Sequence, residues 1–137
     1  MRFKHLGVAV ARLDGVLDIY RDMFGYKLLS GPFSDPIQKV SVCFLGTDNP
    51  SDAVIELIAP AADDSPVRGI LSRGGGAYHM CFETPQLDDV LKGMVSQGCL
   101  LVGQPVPAVA FGGRRIAWVF TPTRQLIELL EAEQPPA

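Results

Sequence analysis

The chain carries two histidines, and each opens one copy of a pattern that closes on a glutamate. His5 lies in the apolar stretch 2–10 and Glu56 in 53–59; His79 lies in 77–84 and Glu128 in 125–130. His79 follows His5 by 74 positions, Glu128 follows Glu56 by 72, and Gly98 follows Gly25 by 73. Three landmarks sharing one offset point to an internal duplication, so a chain of 137 residues has to fold as two small modules that complete one core.

Both copies run in the same order. In the first, residues 3–10 read as a strand, and Leu13, Val16, Leu17, Tyr20, Met23 and Phe24 recur at helical spacing. Asp14 is the expected N-cap, and Gly25 suits the left-handed position after the helix. Strands are expected over 26–30, 40–45 and 53–59, divided by Gly31-Pro32 and by the turn-forming run 46–50. In the second copy, 78–83 reads as a strand. Thr84 and Pro85 look like an N-cap and first helical residue, and Leu87, Val90, Leu91, Met94 and Val95 mark a helical face ended by Gly98. Strands over 99–102, 115–120 and 126–130 follow.

The fold class is therefore α+β: two tandem βαβββ modules, whose eight strands are expected to form a half-open barrel lined by alternate residues of each strand. The whole chain, 1–137, reads as a single domain, with module 1 at about 1–62, a linker at 63–76 and module 2 at about 77–132. The linker holds a short apolar turn at Ile70-Leu71 and the run Gly74-Gly75-Gly76. No Walker-type lysine follows those glycines, which favours a flexible joint over a phosphate loop. The tail 133–137 is expected to fray.

Bulk properties exclude several classes. A net charge of −3 gives no basic stripe for nucleic acid. No run approaches the roughly 18 apolar residues of a membrane span, and the start Met1-Arg2-Phe3-Lys4-His5 lacks the apolar region of a signal peptide. Cys43, Cys81 and Cys99 are odd in number and sit in apolar segments. They read as free thiols in a reducing, cytoplasmic compartment, too widely spaced for a zinc finger.

Taken singly, each member of the repeated pattern has an ordinary explanation. A strand histidine is more often a hydrogen-bonded structural residue than a ligand. Glu56 between Ile55 and Leu57, and Glu128 between Ile127 and Leu129, alternate as solvent-facing residues of antiparallel strands do. Their recurrence at equivalent positions favours a shared site instead. His5, Glu56, His79 and Glu128 together make a suitable ligand set for one divalent metal ion, and such an ion with open positions polarises a bound carbonyl.

The stretches His5-Leu6-Gly7-Val8-Ala9-Val10, Tyr20-Arg21-Asp22-Met23-Phe24-Gly25-Tyr26, Gln38-Lys39-Val40-Ser41-Val42, Ile55-Glu56-Leu57-Ile58-Ala59-Pro60, Asp64-Ser65-Pro66-Val67 and Gly76-Ala77-Tyr78-His79-Met80 resemble the vicinal oxygen chelate superfamily of glyoxalases, bleomycin-resistance proteins and dioxygenases. The resemblance spans Phe3 to Glu131, and within the superfamily it is nearest to methylmalonyl-CoA epimerases. It differs from them in having Tyr78-His79 where two adjacent histidines are usual. A further difference is the sequence 121–126 where a glycine-rich turn precedes the last strand.

The resemblance implies a paired βαβββ fold, a homodimer and one divalent ion (Co2+, Mn2+, Ni2+ or Zn2+) on His5, Glu56, His79 and Glu128. It also implies an acyl-CoA thioester as small-molecule substrate. The expected reaction is abstraction of the proton alpha to the thioester carbonyl, with Glu128 as base and Glu56 as its partner. Gln38, Lys39, Phe111, Gly112 and Arg114 are the expected substrate contacts, with Arg115 a further candidate for a carboxylate or phosphate. The loop 110–113 would close over substrate or form a plain turn, and Trp118 and Phe120 read as core. The alternatives are a glyoxalase-type lactoylglutathione lyase with the same ligands and a non-catalytic small-molecule-binding or resistance protein. A dioxygenase is disfavoured by the second carboxylate.

Overall fold

The computed structural model describes residues 1–134. Part of the tail expected to fray, 135–137, lies outside the described residues. The strands are β1 (Arg2–Ala9), β2 (Lys27–Asp35), β3 (Val40–Gly46), β4 (Ile55–Pro60), β5 (Gly76–Thr84), β6 (Leu100–Pro107), β7 (Arg115–Phe120) and β8 (Leu126–Glu131). The helices are α1 (Val16–Phe24), α2 (Val67–Ser72) and α3 (Leu87–Ser96). The strands make an eight-stranded mixed sheet with β2 and β6 as its end strands, so the sheet is unclosed. Its two halves repeat one topology, β2-β3-β4-β1 and β5-β8-β7-β6, as the duplication predicts. The chain divides into two compact units, His5–Tyr78 and Met1–Lys4 together with the chain from His79 onward.

In the unit His5–Tyr78, β1 runs parallel to β4, with Gly7 opposite Glu56. β3 is antiparallel to β4, with Phe44 opposite Glu56. A parallel neighbour reached after a helix requires that helix to cover one face of the sheet. Here Val16, Leu17 and Tyr20 of α1 pack on Val8, Cys43, Leu45 and Leu57. The other unit repeats the arrangement. β5 is parallel to β8, with Cys81 opposite Glu128, and Trp118 of β7 is opposite Glu128. Leu87 and Leu91 of α3 pack on Ala117, Val119, Ile127 and Leu129.

Several local expectations change. Asp14 makes no cap; α1 begins after Gly15, which takes a left-handed φ of 80°. Gly25 does end the helix at φ 71°, and its N–H returns to Arg21 and Tyr20 carbonyls. Thr84 accepts from the Gln86 N–H at 3.3 Å, but Pro85 precedes the helix, which starts at Leu87. Gly31-Pro32 lies within β2, where the pairing register shifts, and so extends the strand rather than ending it. The linker's apolar turn is the helix α2, anchored by the buried Val67.

Candidate metal centre

The site follows from strand alternation. In β4, Leu57 faces α1, so a period of two turns Glu56 to the opposite face. In β8, Ile127 and Leu129 face α3, which turns Glu128 away in the same manner. Leu6 and Val8 belong to the α1 cluster and Phe82 to the α3 cluster, so His5 and His79 also point away from the helices. The alternation that suggested solvated glutamates is thus present, but the face opposite the helices is not water. His5 is 1% exposed, Glu56 5%, His79 3% and Glu128 3%.

Each unit holds one imidazole–carboxylate pair. His5 Nε2 lies 3.2 Å from Glu56 Oε1, and His79 Nε2 lies 3.4 Å from Glu128 Oε1. Each pair offers an imidazole nitrogen and a carboxylate oxygen, and such His/Glu donors could hold a metal ion. The chemistry and spacing of the donors fit. Nitrogen and carboxylate oxygen bind divalent ions at about 2.0–2.2 Å, which separates adjacent donors by about 3.0–3.5 Å and opposite donors by about 4.0–4.4 Å. Both pairs fall in the adjacent range. Burial of a carboxylate is costly without a cation or strong donors beside it; an imidazole stands beside each one, and a bound divalent ion would add to that compensation.

Aromatic rings flank both histidines. The Phe44 ring meets His5 edge-on at 5.5 Å between centroids and 61° between planes, and Trp118 meets His79 at 4.8 Å and 86°. Phe44 and Trp118 were not singled out by sequence reasoning as site residues, although they too stand 74 positions apart. Trp118 is half-buried and joins the cluster of Cys81, Ala108, Ile116 and Leu130, while Phe120, expected in the core, is exposed. Among the described residues Cys43, Cys81 and Cys99 form no disulfide. Burial, and after it the charge of Glu56, pushes the Cys43 thiol up from its ordinary value.

The expected substrate contacts all have partners within their own units. The Gln38 side-chain amide donates to Asp35 Oδ2 at 3.1 Å, and the backbone N–H groups of Ile37 and Gln38 donate to Asp35 Oδ1 at 3.0 and 3.1 Å. The buried carboxylate of Asp35 therefore builds the turn that presents Gln38, a role no spacing argument identified. Lys39, at a left-handed φ of 61°, pairs with Asp64. Arg114 donates to Glu83 Oε2 at 3.0 Å and to the Glu131 carbonyl at 3.3 Å, and its guanidinium lies 5.7 Å from the centre of the Phe111 ring. The loop 110–113 is a 3-10 turn, Val109–Phe111, closed by Gly112 at φ 63°.

Arg115 binds Glu131 Oε2 at 2.7 Å and Asp88 Oδ2 at 3.0 Å. Hydrogen bonds from this guanidinium hold Asp88 and Glu131 below the usual carboxylate range, and those acids raise Arg115 in turn. Arg115 therefore serves an ion network linking β7, β8 and α3.

The fold and the His/Glu cluster define a member of a known class: the chain belongs to the Glyoxalase/Bleomycin resistance protein/Dioxygenase superfamily, whose profile matches residues 4–118. Among curated proteins it is similar to the mitochondrial methylmalonyl-CoA epimerase of Dictyostelium discoideum. The two are 25% identical over 134 residues, covering 95% of this chain and 78% of the relative. It is also similar to the ethylmalonyl-CoA/methylmalonyl-CoA epimerase of Cereibacter sphaeroides, 26% identical over 120 residues, covering 86% and 87% of the two chains. Among solved structures, methylmalonyl-CoA epimerase from Mycobacterium tuberculosis superposes with a TM-score of 0.81 at 28% identity, covering 97% of this chain and 89% of that one. Among the described residues, no helix is long and apolar enough to cross a membrane.

Proposed function

We propose that the whole chain acts as one domain with the chemistry of a metal-dependent epimerase, moving the proton alpha to the thioester carbonyl of an acyl-CoA of the methylmalonyl-CoA type. The observation that carries this reading is the buried imidazole–carboxylate pair in each unit, His5 with Glu56 at 3.2 Å and His79 with Glu128 at 3.4 Å. The epimerase relatives support the substrate class. The four side chains would hold one divalent ion, with Co2+, Mn2+, Ni2+ and Zn2+ all compatible with imidazole and carboxylate donors. When bound, such an ion supplies Lewis-acid polarisation of the substrate carbonyl.

The chain's own residues perform the remaining steps. Glu128, as the carboxylate, would take the alpha proton, and Glu56, at the equivalent position of the other module and starting as the carboxylic acid, would give its own proton to the planar carbon, leaving the two protonation states exchanged. Proton exchange on two faces needs two such groups. His79 and His5, each beside one of these carboxylates, keep the pair oriented. Gln38, Lys39, Phe111, Gly112 and Arg114 contact the substrate. Lys39 and Arg114 then exchange their present carboxylate partners, Asp64 and Glu83, for substrate anions.

A homodimer in the cytoplasm belongs to the same proposal. Leu28 and Leu29, exposed on the end strand β2, suit burial against a second copy, and three cysteines without a disulfide suit a reducing compartment.

The test is NMR-detected proton exchange in D2O with methylmalonyl-CoA and Co2+-loaded protein. Loss of the alpha-proton signal, abolished in Glu128→Gln, is the expected result. No exchange in protein shown to bind metal overturns the epimerase reading. Turnover of a methylglyoxal–glutathione adduct by that protein would assign lyase chemistry instead.

A further inference from the structure

The duplication extends beyond the four candidate ligands. Phe44 and Trp118 occupy the same place in their modules. Each stands directly opposite the module's glutamate across an antiparallel strand pair, Phe44 opposite Glu56 and Trp118 opposite Glu128. Their separation of 74 positions equals that of the histidines. Each ring meets its own module's histidine edge-on, at 5.5 Å and 61° for Phe44 and at 4.8 Å and 86° for Trp118. Edge-to-face pairs with centroids about 4.5–7 Å apart are the favoured aromatic arrangement. Both modules have therefore kept a triplet of histidine, glutamate and flat ring on one face of the sheet, where simple hydrophobic filling requires no flat ring.

We propose that Phe44 and Trp118 are positioning residues for the metal ligands, each fixing the plane of its histidine and keeping water from the imidazole–carboxylate pair. This rests on the metal-centre reading given above.

The physical reason lies in the histidine side chain. Its second torsion is broad and about two-fold, so strand geometry fixes where the ring sits but not its plane. A rigid wall on one side removes much of that freedom before an ion arrives, which lowers the entropic cost of binding. It also dries the shell around the donors, and that shell governs solvent access and local dielectric at a metal site. Of the two rings, Trp118 makes the closer and more nearly perpendicular contact, so its removal should have the larger effect.

The test is calorimetric titration of the apo protein with Co2+, together with the visible absorption spectrum of the Co2+ form and the melting temperature of the apo form. Replacing Trp118 by Leu keeps apolar bulk but removes the flat ring. Trp118→Leu should weaken Co2+ binding by about tenfold and alter the visible bands. Trp118→Phe should restore affinity to within about twofold. Phe44→Leu should weaken binding by a smaller factor, about threefold.

A purely structural role predicts that affinity follows the apo melting temperature across the variants, whichever ring is present. Wild-type affinity and spectrum in Trp118→Leu, or losses that simply follow melting temperature, would overturn the proposal while leaving the metal centre standing. Failure of the wild-type protein to bind Co2+, or binding that survives His79→Ala unchanged, would overturn the metal centre and this proposal together.

Discussion

Metal binding should raise the stability of this chain by an amount set by how far the free ion exceeds its dissociation constant. The four candidate ligands lie at positions 5, 56, 79 and 128, far apart in the unfolded chain, and are buried in the folded one. An ion held by all four binds the native state and has no comparable site in the unfolded chain, so its stabilisation follows RT ln(1 + [M]/Kd). At free metal about a thousandfold above Kd this is about 4.1 kcal/mol. An unfolding entropy of about 2.1 cal/mol/K per residue gives roughly 0.29 kcal/mol/K for 137 residues. The melting temperature should therefore rise by about 14 °C. The assay is differential scanning calorimetry of chelator-stripped protein, titrated separately with Co2+, Mn2+, Ni2+ and Zn2+. In His79→Ala the metal-dependent increment should fall to a few degrees, whatever happens to the apo value. A wild-type increment below about 2 °C with every metal, or a full increment retained in His79→Ala, would refute the reasoning.

Other outcomes test separate parts of the description. Glu128→Gln should slow alpha-proton exchange by about 10²–10⁴-fold, the usual contribution of a positioned general base, and unchanged exchange would remove Glu128 from that role. Leu129→Ala, at a fully buried position on the α3 face, should cost about 2–5 kcal/mol in urea unfolding; a cost under about 1 kcal/mol would mean that this face is not tightly packed. Asp88 and Glu131 are held below their ordinary values by Arg115. Their contribution to stability is therefore fully present above the unfolded carboxylate values and is lost as pH falls through the lower folded ones. The deficit in melting temperature of Arg115→Gln should thus be constant from pH 6 to 8, within the flat part of this linkage, and shrink below about pH 4. A deficit that persists undiminished in acid would show that Arg115 acts through packing alone.

Some of the molecule was legible in the chain alone. The nearly equal offsets of the histidines, glutamates and glycines revealed the duplication, and period-2 and helical spacing placed eight strands and two of the three helices among the described residues, because these periodicities are local consequences of backbone geometry. The candidate donor types were legible too, since the chain has only two histidines and they recur in register with two glutamates. Exact element ends were not. Gly15 rather than Asp14 stands at the start of α1, and β2 runs on through Gly31-Pro32, because sheet pairing overrides local turn preference.

The roles of individual side chains depended on what lies across the sheet. Ile-Glu-Leu reads identically whether its glutamate meets solvent or a buried site; only the helices on the opposite face and the burial of Glu56 and Glu128 decide between them. Arg114 and Arg115 are adjacent and alike in sequence, yet one lies over Phe111 beside Glu83 and the other joins Asp88 to Glu131. Asp35 orders Gln38 through its own turn, and Trp118 touches His79 across strands 39 positions apart in the chain. The repeat, the classes of element and the candidate donor chemistry are local properties, written in spacing and residue type. Which face is buried, which charge meets which, and which ring stands against each histidine are contacts between segments distant in the chain, and they exist only once it has folded.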